Sequence, residues 1–336
     1  MDQKKNITRF LIIRFSSIGD IVLTTPVIRC LKQQVAGAEV HYLTKKSYRT
    51  ILASNPYIDQ LHFLEDSWSE TIKPLQKAGF DYIIDLHHNL RTMRIKLGLR
   101  KVKSFSFDKL NMGKWLLTNL KINRLPTLHI VDRYLATTKT FGVTNDGNGL
   151  DYFIPKEDEV PFTALPTSHQ AGYIGLVIGA AYATKQLPVH KLKELCNLIE
   201  HPVILLGGPE DKQAGDEIAM IDPVKIYNAC GKFNLNESAD LVRKSKLIIT
   251  HDTGLMHIAA AFRKKILSVW GNTVPEFGMT PYYGNHPVNQ SLFEIKDLYC
   301  RPCSKIGYKK CPQKHFKCME MQDMQLIKSR AEKEAL

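Results

Sequence analysis

No stretch of this 336-residue chain approaches the run of about 18 apolar residues that a membrane span needs. The early apolar run Phe10–Ile13 is too brief for a signal-peptide core, so the protein is expected to stay in the cytoplasm. Seven cysteines, an odd number in a chain this long, do not describe a secreted disulfide scaffold. No Asp-x-Asp pair stands at a strand end to gather a divalent metal, and no low-complexity tract or internal repeat interrupts the chain. Acidic residues are in short supply: 33 Asp and Glu face 46 Lys and Arg, a net charge of +13. Such a balance implies an anionic partner. Without a zinc finger, an RNP pattern or another nucleic-acid module, nucleic acid is not the expected one, which leaves a phosphorylated substrate or a membrane surface.

What the chain does have is alternation. Strand-like runs at 10–14, 39–43, 60–63, 82–86 and 101–105 alternate with helical patterns at 27–34, 48–53, 67–78 and 131–141. The second half repeats the plan, with strands at 173–178, 203–206, 225–228, 246–250 and 265–269 and helices at 189–200, 213–221, 235–245 and 255–262. Elements of this length in this order predict an α/β protein with two parallel sheets, each covered by helices on both faces. The polar stretch 163–171 marks the expected boundary, dividing the chain into domains 1–165 and 166–336.

Two junctions carry chemistry. In the first, the apolar run Leu247–Ile249 leads through Thr250-His251-Asp252-Thr253-Gly254 into a second apolar run with helical character. Open α/β sheets bind ligands at such strand ends. The helix beginning there offers unpaired N–H groups and a positive dipole end to an anion such as phosphate, and Gly254 allows close approach. The plainer reading is that Asp252 or Thr253 simply caps a helix. In the second, Arg9–Arg14 leads through Ser16-Ser17-Ile18-Gly19-Asp20, placing a carboxylate at the end of the first strand. With one glycine where three are needed, this is not a dinucleotide fingerprint. Asp20 either caps the helix or acts on a ligand. Pro26 requires that helix to kink or to begin near Thr25.

Four segments in order, Arg14-Phe-Ser-Ser-Ile-Gly-Asp20, Asp81-Tyr-Ile-Ile-Asp-Leu-His-His-Asn-Leu-Arg91, Ala183-Thr-Lys-Gln-Leu-Pro188 and Asp252-Thr-Gly-Leu-Met-His257, resemble glycosyltransferase family 9, the ADP-heptose:lipopolysaccharide heptosyltransferases. The resemblance implies a GT-B fold, with two Rossmann-like domains facing a cleft. The first is expected to bind the acceptor and the second the nucleotide-sugar donor. It implies inverting, metal-independent transfer of a heptose from ADP-heptose to the lipopolysaccharide inner core, with no required cofactor.

Sugar transfer needs one base and several phosphate ligands. Asp20 matches the family's Gly-Asp position and is the expected general base for the acceptor hydroxyl. Lys185 and Thr184 match positions that hold the donor phosphates. Thr253, Gly254 and Leu255 would add backbone N–H groups. Asp252 would lie beside the donor, bonding a sugar hydroxyl or the turn backbone. His257 either reaches a phosphate or packs inside, and Glu210, after the Gly207-Gly208 turn, is a candidate for a ribose hydroxyl. On the acceptor side stand Ser17, Gly19, His87, Asn89, Arg91 and Arg133. The arginines suit the carboxylates and phosphates of a lipid-linked anionic glycan. The remaining readings are a related transferase with another nucleotide-sugar or glycan acceptor, and a non-catalytic basic protein binding nucleotide or anionic lipid.

Two basic segments remain. Residues 91–124 hold ten Lys and Arg and a single acid, Asp108, interleaved with apolar and aromatic residues. That mix suits either peripheral contact with the cytoplasmic face of the inner membrane or an ordinary solvated face. Residues 300–318 carry Cys300, Cys303, Cys311 and Cys318 in the spacing Cys-x2-Cys-x7-Cys-x6-Cys, with six Lys and Arg and no acid. A structural zinc, reduced thiols and a disulfide are all open there.

Overall fold

The computed structural model describes residues 7–335. Its strands are β1 (Thr8–Ile13), β2 (Ala38–Thr44), β3 (Gln60–Phe63), β4 (Tyr82–Asp85), β5 (Lys103–Ser106), β6 (Ile174–Val177), β7 (Val203–Leu206), β8 (Ile226–Asn228), β9 (Leu247–His251), β10 (Ile266–Trp270) and β11 (Gln290–Glu294). The helices of the first part are α1 (Ile18–Val22), α2 (Thr25–Gln34), α3 (Arg49–Leu52), α4 (Trp68–Ala78), α5 (Leu90–Gly98), α6 (Asn111–Trp115) and α7 (Ile130–Leu135). They are followed by α8 (Thr167–Gln170), α9 (Val189–Leu198), α10 (Lys212–Ala219), α11 (Leu235–Lys244), α12 (Gly254–Ala261), α13 (Lys317–Glu320) and α14 (Met324–Ala335).

The strands form two parallel sheets, as expected, in the orders β3-β2-β1-β4-β5 and β11-β10-β9-β6-β7-β8. In the first sheet the chain steps outward from β1 to β3, then returns to the other side of β1 with β4. In the second it steps from β6 to β8 and returns beside β6 with β9. Each reversal creates a switch point, between β1 and β4 in one sheet and between β6 and β9 in the other, where loops diverge beyond the strand ends. The central strands are apolar on both faces because helices cover both: β9 and β10 are buried along their whole length. Leu11, Ile13, Leu43, Ile83, Ile95 and Leu99 fill one core. Leu176, Leu205, Ile249, Leu267, Met319 and Ile327 contribute to the other.

Contacts divide the chain into two compact units, and the division is less simple than the expected split at 165/166. Of the described residues, the first unit comprises 7–109, 128–153 and 284–286, and the second 110–127, 154–283 and 287–335. Buried Arg29 explains part of the first assignment. It grips both carboxylate oxygens of Asp146 at 2.7 and 2.8 Å and also bonds Asp151 and the Gly149 carbonyl, drawing 146–151 onto α2. Asn285 N–H donates to the Gly147 carbonyl at 2.7 Å. In the second unit, Lys121 Nζ donates to the Pro302 carbonyl at 2.7 Å.

Pro26 does what its ring permits. The helix breaks after Val22, and Pro26 sits in the first turn of α2, where a missing N–H costs nothing.

Candidate active site

At the switch point of the first sheet, Arg14 directly follows β1. Its guanidinium, buried with only 10% of the side chain exposed, donates to the carbonyls of Ser16 (2.7 Å) and Leu86 (2.6 Å), to the Tyr134 hydroxyl (3.0 Å) and to Asp20 Oδ1 (2.7 Å). Burial works against the charge of Arg14, but Asp20 beside it restores and reinforces it. The other oxygen of Asp20 accepts from the backbone N–H (3.2 Å) and hydroxyl (2.7 Å) of Ser17. Asp20 is the third residue of α1 and Ser17 its N-cap, so the carboxylate closes its own helix end while 20% of its side chain stays open to solvent. Gly19 is buried within that turn.

His87, after β4, lies in the same neighbourhood. Its ring packs on Phe15 at 5.0 Å. Burial and the positive charges of Arg14 and Lys109 lower its pKa to about 4, so the imidazole is neutral. The strand end is shaped by buried Asp85, which accepts from the N–H groups of His87 (3.1 Å) and His88 (2.6 Å) and from the Thr92 hydroxyl (2.8 Å). Two of the expected acceptor residues need correction here. Asn89 is the N-cap of α5; its side-chain oxygen is taken by Thr92 N–H at 3.0 Å. Arg91 is exposed on the first turn of α5 and does not join the Arg14–Asp20 group. Arg133 is buried in α7, its Nη1 donates to the Asp108 carbonyl at 3.3 Å, and burial lowers its pKa.

At the switch point of the second sheet, Lys185 Nζ donates to Asp252 Oδ2 (2.6 Å) and to the Asp252 carbonyl (3.3 Å). Thr273, beyond β10, donates to the same Oδ2 at 2.9 Å. Asp252 therefore organises a lysine and a threonine, a role the sequence reading did not assign to it. An ammonium has three donors, and two are directed at Asp252. Thr253 is the N-cap of α12, yet its hydroxyl lies 3.3 Å from that of Thr250 and no side chain caps the helix. Among the described residues, the first-turn N–H groups of Gly254, Leu255 and Met256 are thus left without a side-chain acceptor. His257 is buried in the helix, only 2% exposed. His251, also buried, accepts from Leu187 N–H at 3.0 Å, and burial lowers its pKa to about 4.

Thr184 is engaged locally: its hydroxyl accepts from Tyr308 N–H at 2.8 Å and donates to the Tyr308 carbonyl at 3.2 Å, which fastens a loop to the turn. Glu210 is exposed on the short turn Pro209–Asp211 after β7. The four C-terminal cysteines carry free thiols, and no three His, Cys, Asp or Glu side chains converge as a metal site among the described residues. Zinc, one of the three readings left open there, therefore finds no support; Cys300 has His315 Nε2 at 3.8 Å.

The segment around those cysteines has another task. Arg301, almost fully buried, donates to the carbonyls of Gly271 (2.6 Å) and Thr273 (3.0 Å) and pairs with Glu294 at 2.7 Å. Met319 lies under Gly271, and Gly307 lies against Tyr182. The segment therefore braces both the 182–185 turn and the 271–273 turn.

Sequence reasoning missed Arg14, Tyr134, Thr273 and Arg301. It also missed Asn272, which is buried with both amide atoms lacking a partner among the described residues. The signal existed for three of these: Arg14 closes an apolar strand, and Asn272-Thr273 is a polar pair directly after one.

Comparison with known proteins adds an independent line. The model for glycosyltransferase family 9 (heptosyltransferase) matches residues 68–313. The chain is 32% identical over 319 residues to lipooligosaccharide heptosyltransferase 2 of Campylobacter jejuni, covering 90% of this chain and 91% of that one. It is 25% identical over 332 residues to lipooligosaccharide heptosyltransferase 2 of Haemophilus influenzae, covering 88% and 92%. Among solved structures it is similar to a family 9 glycosyl transferase from Veillonella parvula (TM-score 0.75, 22% identity, 98% and 97% covered). It also resembles the E. coli heptosyltransferase WaaC with ADP (TM-score 0.69, 20% identity, 97% and 100% covered).

Proposed function

The chain belongs to glycosyltransferase family 9 and is an enzyme of the heptosyltransferase type with a GT-B fold, and from that premise we propose that it transfers a heptose from ADP-heptose to the inner core of lipopolysaccharide. The observation that carries the donor half of this reading is the uncapped start of α12 with Lys185 held beside it. Free N–H groups, a helix dipole and a cation together suit a diphosphate. Asp252 and Thr273 position Lys185, and its remaining N–H faces the phosphate charge that develops as ADP departs. Gly254 and Leu255 supply backbone donors, with Glu210 left for the ribose.

In the first domain, Asp20 accepts the proton of the attacking hydroxyl. Arg14 is a positioning residue: four hydrogen bonds fix it, and it fixes the carboxylate. Ser17, His87 and Arg133 line the acceptor side. The anomeric carbon passes through an oxocarbenium-like state, attacked on the face opposite the leaving group, which inverts its configuration. Lys185 and the helix end carry the leaving-group charge that a divalent metal carries elsewhere. The acceptor is lipid-linked, so the enzyme works at the cytoplasmic face of the inner membrane without crossing it. No helix among the described residues is long and apolar enough to span a bilayer.

The test is ADP release from ADP-heptose with and without a heptose-deficient lipopolysaccharide precursor. Acceptor-dependent release supports the assignment. Release from a different nucleotide-sugar in preference to ADP-heptose would replace the donor, and binding without turnover would remove the enzymatic role.

A further inference from the structure

The outward face of α5 is apolar. Leu90, Met93 and Leu97 are exposed by 78, 50 and 64%. At about 100° per residue they fall within an arc of about 60°. Thr92 and Ile95, with Leu99 just beyond the helix, face the opposite way and are buried. A helix on the surface of a soluble domain normally turns charged and polar residues outward; this one has an apolar stripe on both its inner and its outer side. The packing is not loose: a side chain at Gly98 would collide with Ile72 and Trp68 of α4, and Lys96 is tied to buried Asp85 at 2.9 Å. The stripe is therefore held outward by a well-anchored helix.

Its surroundings are cationic. Between residues 86 and 107 there are six Lys and Arg and no acid. Arg91, Arg94, Arg100 and Lys101 are exposed, and the Arg94 guanidinium stacks 4.4 Å above the Trp68 ring.

We propose that the outer face of α5 docks on an anionic lipid surface, with Leu90, Met93 and Leu97 entering the headgroup–acyl boundary and the flanking arginines and lysines meeting lipid phosphates. This rests on the reading of the chain as a transferase with a lipid-linked acceptor, and names the surface through which it meets that lipid. Charge argues for this occupant. A second copy would bring six like charges against six more across a two-fold interface. A nucleic acid would use the cations and leave the apolar stripe without a function. An anionic bilayer satisfies both.

The experiment is co-sedimentation of the full chain with vesicles of phosphatidylethanolamine and phosphatidylglycerol, against vesicles of phosphatidylcholine. The wild type is expected to bind the anionic vesicles and to lose them as salt rises. The triple variant Leu90→Gln, Met93→Gln, Leu97→Gln should lose about tenfold or more of that binding. The pair Arg100→Glu, Lys101→Glu should also lose it, whereas Met220→Gln, Val224→Gln, exposed apolar residues elsewhere, should not. Transfer to a delipidated acceptor should be unchanged in the triple variant, and transfer to acceptor in vesicles should fall. If the triple variant sediments like wild type while anionic lipid is still required, α5 is not the docking face and the membrane reading stands. If wild type binds no vesicle, both fall, and transfer to delipidated acceptor then stands alone. If gel filtration shows a dimer that the triple variant splits, without change in vesicle binding, the face is a self-association surface instead.

Discussion

Ser17 and Thr253 each stand at the N-cap of a helix that follows a central parallel strand, one in each sheet. The two helix ends nevertheless finish with opposite electrostatics, and the order of two residues decides it. After Ser17 the acid comes third, at Asp20, from where a short side chain reaches back to the N-cap. The end is closed by a carboxylate that Arg14 holds. In Asp252-Thr253-Gly254 the acid comes before the N-cap, where it cannot reach back. It captures Lys185 and Thr273 instead, and the third helical position is the apolar Met256. One end thus presents an anion able to take a proton, the other a cation and open N–H groups able to hold an anion. On the proposed reading, the same strand–turn–helix unit would serve as base or as phosphate site according to whether glycine precedes or follows the carboxylate.

The largest expected break in this comparison is Asp20→Asn. The amide keeps an oxygen for Ser17 N–H, so α1 survives, but it takes no proton. Turnover should fall about 10²–10⁴-fold with ADP affinity unchanged, as read by ADP release and calorimetry. Turnover near wild type would leave Asp20 a cap and nothing more. Next is Lys185→Ala, which removes a charge-assisted bond worth about 1.5–3 kcal/mol and should weaken ADP binding by roughly 10- to 150-fold. An unchanged affinity would move the nucleotide elsewhere. Leu255→Asp tests the open end directly. An acid in the first turn of α12 favours the helix dipole by about 0.3–1 kcal/mol. Thermal stability should hold or rise, while ADP affinity drops about tenfold. A drop in both would mean misfolding, not closure.

The smallest effect concerns what the two regions share. His87 and His251 both have pKa values lowered to about 4 from an ordinary value of 6.5. Each is neutral in the folded protein. The unfolded chain takes up the proton first, so their contribution to stability is complete above pH 6.5 and is lost as pH falls toward 4. His251→Gln should flatten that acid limb, moving it by about half a pH unit in urea titrations across the range. An identical limb would assign the acid sensitivity to other groups.

Most of this architecture was legible beforehand. Strands at 60–63 and 203–206 run over the expected residues, the second because it is a continuous apolar run, the first because its apolar residues alternate with polar ones. β11 was missed because it is a half-exposed edge strand without a buried pattern. α5 was missed because Leu90, Met93 and Leu97 point away from the core, which blurs the periodicity that marks a helix. The positions of Asp20, Lys185 and Gly254 were also readable, since strand ends announce them. Their partners were less so. Nothing local in the sequence shows that Tyr308, 124 residues away, engages the hydroxyl of Thr184. Asn89 was placed with the acceptor although its spacing from Thr92 was already that of a cap. Of the three readings that the cysteine spacing leaves open, zinc finds no support, because no three ligating side chains converge among the described residues.

The brace formed by Arg301, Tyr308 and Met319 has a consequence in time as well as in space. The turns at 182–185 and 271–273 are made once the chain has passed β10, but restraints on them come from residues 301–319. A chain still being synthesised through β11 therefore has the strands of the second sheet without the clamp on its two turns. On the proposed reading of the site, nucleotide affinity should be one of the last properties the nascent protein acquires, because the residues that hold its two turns are made last.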